Sequence, residues 1–203
     1  SANAISPALQ SDIFQAILNG TNYPYTLLET VVRRVCTDSD TDSNNKIKIN
    51  EVRAGLIKAF INRKARLNGD KEEITMSLDK ENKNPAYLCG RLFAVLEKIQ
   101  LEATDVKLNR TIKDAYFSSA SSRPALIMPR LIDLSNYHLR KLKEGRAIDF
   151  SKLINEIMGK IKDSLPTNLS IMEKGKFQLG YFQQNKDFFA EQNKNEEPET
   201  VNE

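Results

Sequence analysis

Apolar residues recur at three- and four-residue intervals along most of this chain, and nowhere does strict alternation persist for the length of a strand. Ile13, Phe14, Ile17 and Leu18 mark a first helix, beginning near Asp12 and stopped by Gly20. Leu27, Leu28, Val31, Val32 and Val35 mark a second, entered through the turn Thr21-Asn22-Tyr23-Pro24. Beyond a polar stretch from Thr37 to Asn45, a third runs from near Asn50 to Leu67. Val52, Leu56, Ala59, Phe60 and Leu67 form its apolar stripe, and Lys58, Asn62 and Arg66 share a different face.

Residues 68–84 are charged and weakly apolar, the pattern of a linker. Pro85 then opens a helix whose seam is Leu88, Leu92, Val95, Leu96 and Ile99. Thr104 caps the next, which carries Leu108, Ile112, Ala115 and Tyr116, and Ser118 to Pro124 is a loop of small residues. Ile127, Leu131, Leu134, His138 and Leu142 trace a helix begun or kinked at Pro129 and ended by Gly145. Phe150, Leu153, Ile154, Ile157 and Ile161 trace another, closed by Leu165-Pro166, and Phe177, Tyr181, Gln184 and Phe188 the last. The expected fold is all-α, a helical bundle of seven to eight helices in two subunits joined by a charged linker. Its parts are an N-terminal subunit over 1–67, the linker 68–84, a C-terminal bundle over 85–190 and a disordered acidic tail over 191–203.

Composition agrees with helices: Trp is absent, and only 8 Gly and 7 Pro occur in 203 residues. No run reaches the roughly 18 apolar residues of a membrane span, so no membrane contact is expected. The chain opens Ser1-Ala2-Asn3-Ala4 without an initiator Met and is expected to be a processed or excised piece. The formal charge of +3 conceals a gradient. Residues 1–90 are close to neutral, 91–187 carry the cationic surplus, and the tail from Phe188 holds five Glu against one Lys. A folded part more basic than the total suits a polyanionic partner.

Conventional catalytic and metal chemistry is poorly provided for. Cys36, Cys89 and His138 are too few for a structural zinc site, and the two thiols fit a reduced, cytoplasmic protein. His138 lies on an apolar stripe and reads as a hydrogen-bonded core residue. No phosphate loop of the GxxxxGK[ST] type occurs. No enzyme, catalytic residue, metal or cofactor is therefore expected. One stretch, Asp40 to Glu51, matches a calcium loop through Asp40, Asp42, Asn44 and Glu51. It has Asn45 at the sharp turn, Lys48 where an oxygen belongs, and no second loop, so a solvated linker is preferred. The basic residues are the better lead. The positions singled out for nucleic-acid backbone contact are Arg33, Arg34, Lys58, Arg63, Lys64, Arg66, Arg110, Arg140 and Lys141.

Three blocks carry a family resemblance. Asn84-Pro85-Ala86-Tyr87, continuing through Gly90-Arg91-Leu92-Phe93-Ala94 to Leu96-Glu97, resembles a signature of the Csd-family large subunit of type I-C CRISPR Cascade. Thr111 to Ala120 with Arg123-Pro124-Ala125 is similar to that family's next block. Phe177-Gln178-Leu179-Gly180-Tyr181-Phe182-Gln183-Gln184 resembles its closing motif, with Phe182 and Gln183 departing from the commoner residues. The resemblance spans about residues 8–189 and implies the C-terminal part of a longer subunit.

It also implies non-enzymatic DNA binding that stabilises an R-loop in antiviral defence. The implied partners are the target or displaced DNA strand, the crRNA-bearing Cascade backbone subunits, and a recruited helicase-nuclease that performs cleavage. Alternatives are a helical module that docks those subunits without touching DNA, and a single EF-hand-like calcium domain. The family's small subunit is made from an internal start, and Met76 is placed for one here. Lys71-Glu72-Glu73 can be coded as AAG GAG GAA, which would put a purine-rich ribosome-binding sequence just upstream.

Overall fold

In a computed structural model the described residues are 7–19, 43–68, 77–104, 110–161 and 164–196. They contain seven helices and no strand: α1 (Pro7–Asn19), α2 (Ser43–Asn68), α3 (Pro85–Glu102), α4 (Ile112–Ala120), α5 (Pro124–Leu139), α6 (Glu144–Lys160) and α7 (Ile171–Glu196). The all-α expectation holds. The chain divides into two units, Ser1–Leu78 with Gln183–Glu203, and Asp79–Phe182. The last helix therefore begins in the second unit and ends in the first.

In the first unit α1 packs on α2. Ala54, Ile57, Phe60, Ile61 and Ala65 are buried, whereas Leu67 and Phe14 are exposed. Of the expected stripe Phe60 is buried, Leu56 is half-buried, and Ala59 and Leu67 are exposed, so the buried face is rotated from the expected one. Two alanines, Ala54 and Ala65, are part of the buried face. α2 also begins at Ser43, so Asn44 and Glu51 lie in continuous helix, about 10 Å apart along its axis. A calcium loop would have to wrap these residues around an ion, and a straight helix cannot. Arg33, Arg34, Cys36, Asp40, Asp42 and Met76 lie outside the described residues, as does the helix expected from Leu27 to Val35.

The second unit is organised around α3. From Ala86 to Glu97 every residue is buried, as is Ile99, the pattern of a helix covered on all sides. α4, α5 and α6 pack on it, and α4 packs on α5. Asn84 starts the helix: its side chain accepts from the Ala86 and Tyr87 amides at 3.1 and 3.2 Å, with Pro85 in the first turn. The Asp79 amide donates to the Tyr87 hydroxyl at 3.0 Å, and the Asn84 amide to Asn82 Oδ1 at 2.9 Å.

Glycines set how α7 crosses α3. A Cβ on Gly90 would lie 2.7 Å from the Phe177 carbonyl carbon and 3.0 Å from the Tyr181 nitrogen. One on Gly180 would lie 3.0 Å from the Tyr87 carbonyl carbon and 3.3 Å from the Arg91 nitrogen. Beside this crossing Phe93, Phe117, Phe177 and Tyr181 form an edge-to-face cluster with centroids 4.8 to 5.9 Å apart.

Several ends differ from expectation. α4 is capped by Thr111, whose hydroxyl accepts from the Asp114 amide while Asp114 accepts from the Thr111 amide. Thr104 instead donates back to the Gln100 carbonyl at 2.9 Å. Gly145 does not end α5; it is the second residue of α6. Pro129 lies inside α5, which starts at Pro124. α7 continues to Glu196, beyond the start of the acidic stretch.

Candidate nucleic-acid interface

Helix α5 buries Pro124, Met128, Leu131 and Ser135 against the unit and turns its other side outward. Arg123, Arg130 and Tyr137 follow at seven-residue intervals, two helical turns or about 10 Å each. All three are exposed, with Leu126, Asp133 and Leu134 flanking them and Tyr137 57% accessible. Just past the helix, Arg140, Lys141 and Lys143 are exposed as well. The outward side and its C-terminal extension thus carry five cations against the single carboxylate of Asp133. Two cations are paired with rings: the Lys141 ammonium lies 4.4 Å from the Tyr137 centroid, and the Arg130 guanidinium 5.8 Å from that of Tyr116.

His138 sits beside this cluster, its ring 5.7 Å from that of Tyr137. It is half-buried, and its Nδ1 finds no hydrogen-bond partner among the described residues, so it is not the bonded core histidine expected. Burial, then the Lys141 charge, holds its pKa below the usual histidine range, which keeps it neutral near pH 7.

Of the nine positions singled out from sequence, Arg33 and Arg34 lie outside the described residues and the other seven are divided between the two units. Arg140 and Lys141 belong to the α5 cluster, and Arg110 is exposed just before α4. Lys58, Arg63, Lys64 and Arg66 lie on α2, in the first unit. Of these, Arg66 is exposed and Lys58 half-buried. Arg63 is committed to the fold: its Nε donates to the Leu18 carbonyl at 3.0 Å, satisfying one of the last carbonyls of α1. Arg123 and Arg130, basic positions of the second half, and Tyr137 are not among the nine. Their heptad spacing opposite Met128 and Leu131 was the available signal, once the helix was started at Pro124 rather than Pro129.

Other cations are similarly engaged. Arg146 makes a bidentate pair with Glu102, both bonds 2.9 Å, and covers the Phe150 ring. Burial pushes the Glu102 pKa up, but the Arg146 bonds and Lys98 outweigh it and leave it below the usual range. Lys160 reaches the Lys80 carbonyl at 2.6 Å and Glu156 at 3.1 Å. The one deeply buried carboxylate among the described residues, Glu97, accepts from the Tyr181 hydroxyl at 2.5 Å. Burial raises its pKa, opposed by Lys113 and by the Tyr181 bond. The Cys89 thiol is pushed up to about 12 by burial, which removes it as a nucleophile. Among the described residues no three metal-ligating side chains gather, and no helix is long and apolar enough to cross a membrane.

The motifs behind the resemblance are structural. Asn84, Pro85, Tyr87 and Gly90 start and seat α3, while Phe177, Gly180 and Tyr181 complete the crossing and its aromatic cluster. Compared with known families, residues 1–189 match the model of the CRISPR-associated protein family Cas_Csd1. A search of curated proteins returned no match.

Proposed function

The chain belongs to the Cas_Csd1 family of CRISPR-associated proteins, and from that premise we propose a non-catalytic, cytoplasmic role in a type I-C Cascade complex, holding DNA by its backbone. The observation that carries this reading is the row of exposed cations on α5 and beyond: Arg123, Arg130, Arg140, Lys141 and Lys143. R-loop formation exchanges one duplex for another of nearly equal stability, so a few phosphate contacts on the target or displaced strand tip the balance. Backbone subunits bearing the crRNA supply sequence recognition, and a recruited helicase-nuclease supplies cleavage. The unit Asp79–Phe182 begins three residues after Met76, which supports a separate short product carrying this face.

The test is fluorescence anisotropy of labelled DNA against the chain over a salt series. Phosphate contacts make log affinity fall linearly with log salt, by roughly 0.7 per neutralised phosphate for a single strand. A flat salt response overturns the reading. A second reading rests on Leu126 and Leu134, exposed on the same helix: docking of a protein subunit in place of DNA. It predicts that charge reversal on α5 blocks assembly and leaves DNA retention by the assembled complexes unchanged.

A further inference from the structure

We propose that Tyr137, backed by Lys141, is a base-stacking platform, and that α5 therefore grips an unpaired strand in preference to a duplex. This deepens the reading above and rests on it. Phosphate contacts alone do not distinguish the two ligands, because both present a charged backbone. An exposed aromatic ring does. In a duplex the base faces are already stacked on each other, whereas an unpaired strand offers them to any flat apolar surface within reach of its phosphates.

Tyr137 meets that description. It is 57% accessible in the middle of a cationic face, and its ring contacts are the neighbouring His138 at 5.7 Å and the Lys141 ammonium. The Lys141 ammonium 4.4 Å from its centroid puts a positive charge against the ring, a partner for a phosphate next to a stacked base. Arg130 lies two turns away with its guanidinium near Tyr116, a second planar group that bases stack on. Between the two, Asp133, Leu134 and Asn136 are the exposed side chains, so a backbone following this face meets one carboxylate with cations on either side of it. Stacking of this kind is tolerant of sequence, because every base has a π-face.

The experiment titrates the full chain with a labelled oligothymidine, an abasic strand of the same length and a blunt duplex, each across a salt series. Tyr137→Leu keeps bulk and removes the ring; Tyr137→Phe keeps the ring. The expected result is that Tyr137→Leu weakens oligothymidine binding by about 5- to 100-fold at an unchanged salt slope. Tyr137→Phe binds as the parent does, and the abasic strand and the duplex are indifferent to either change. The chain has six Tyr and no Trp, so quenching of tyrosine emission on binding, lost in Tyr137→Leu, is a direct readout of the stack. Parent-like affinity and quenching in Tyr137→Leu overturn the proposal while leaving phosphate binding intact, as does a duplex bound as tightly as the single strand. Absence of any salt-dependent binding by the parent sinks the proposal and the DNA reading together. Loss of complex assembly in Tyr137→Leu with unchanged DNA affinity assigns the ring to a protein partner and overturns the proposal.

Discussion

Replacing Gly90 with alanine tests the fold at its tightest point. In an ordinary helix interior this change stabilises by about 1 kcal/mol, because alanine is the better helix former. Here the added carbon would lie 2.7 Å from the Phe177 carbonyl carbon, closer still to its oxygen, and 3.0 Å from the Tyr181 nitrogen. Carbon contacts relax at about 3.5 to 4.0 Å, so α3 and α7 would have to part by roughly 1 Å. Both obstacles are backbone and cannot rotate away. Separation would also loosen the edge-to-face contacts of Phe93 with Phe177 and Tyr181, now 5.9 Å between centroids. Overpacking costs about 1–3 kcal/mol, and with two backbone obstacles the upper part of that range, about 2–3 kcal/mol, applies, which leaves a net loss of about 1–2 kcal/mol after the propensity gain. Urea denaturation of Gly90→Ala should show a midpoint lowered by about 0.5 to 1 M, taking a slope near 2 kcal/mol/M. Gly159→Ala is the control, since nothing lies within 4 Å of its added carbon, and it should be neutral or stabilising. Gly90→Ala at or above the parent's stability would refute the close crossing.

Three further outcomes follow from the same geometry. Glu97 has a folded pKa raised above its unfolded value, so its contribution is full below about pH 4.5 and is lost as pH rises through the folded pKa. Glu97→Gln keeps an acceptor for Tyr181 without the charge and should gain stability on the parent as pH is raised from 4 to 8. Parallel stability profiles of the two proteins would contradict this. Thr111→Ala removes one half of a capping box and should cost about 1 kcal/mol in thermal or urea unfolding; no loss would mean the cap is not made. Arg63→Ala should speed amide exchange at the end of α1 and leave the salt slope of DNA binding unchanged, whereas a lower slope would place Arg63 on the ligand.

Helix identity was legible because Leu88, Leu92, Val95 and Ile99, or Phe150, Leu153 and Ile157, repeat with the helical period and little else in the chain competes. Helix ends were less so. Thr111-Ile112-Lys113-Asp114 and Ser170-Ile171-Met172-Glu173 both have capping-box spacing, and both form the box. The nearer-looking Thr104 bonds backward and hides the first of them. The buried face of α2 was misread because Ala54 and Ala65 carry too little hydrophobicity to register beside Leu56 and Leu67. The site was the least legible part. Arg63 and Arg140 look alike in sequence, yet one closes α1 through Leu18 and the other lies exposed beyond α5. Only the third dimension sorts cations that hold the fold from cations left for a partner. The first and third blocks of resemblance mark the α3–α7 crossing, and the second covers α4 and the start of α5, so the blocks report mainly how the second unit is packed.

The most direct measurement of that role is DNA retention by the assembled complex carrying Arg140→Glu with Lys141→Glu. Neither residue forms an ion pair among the described residues, and both lie beyond the last turn of α5. The account predicts normal assembly, faster loss of target DNA and a shallower salt dependence. Unchanged retention with defective assembly would contradict it and make the face a protein-docking surface.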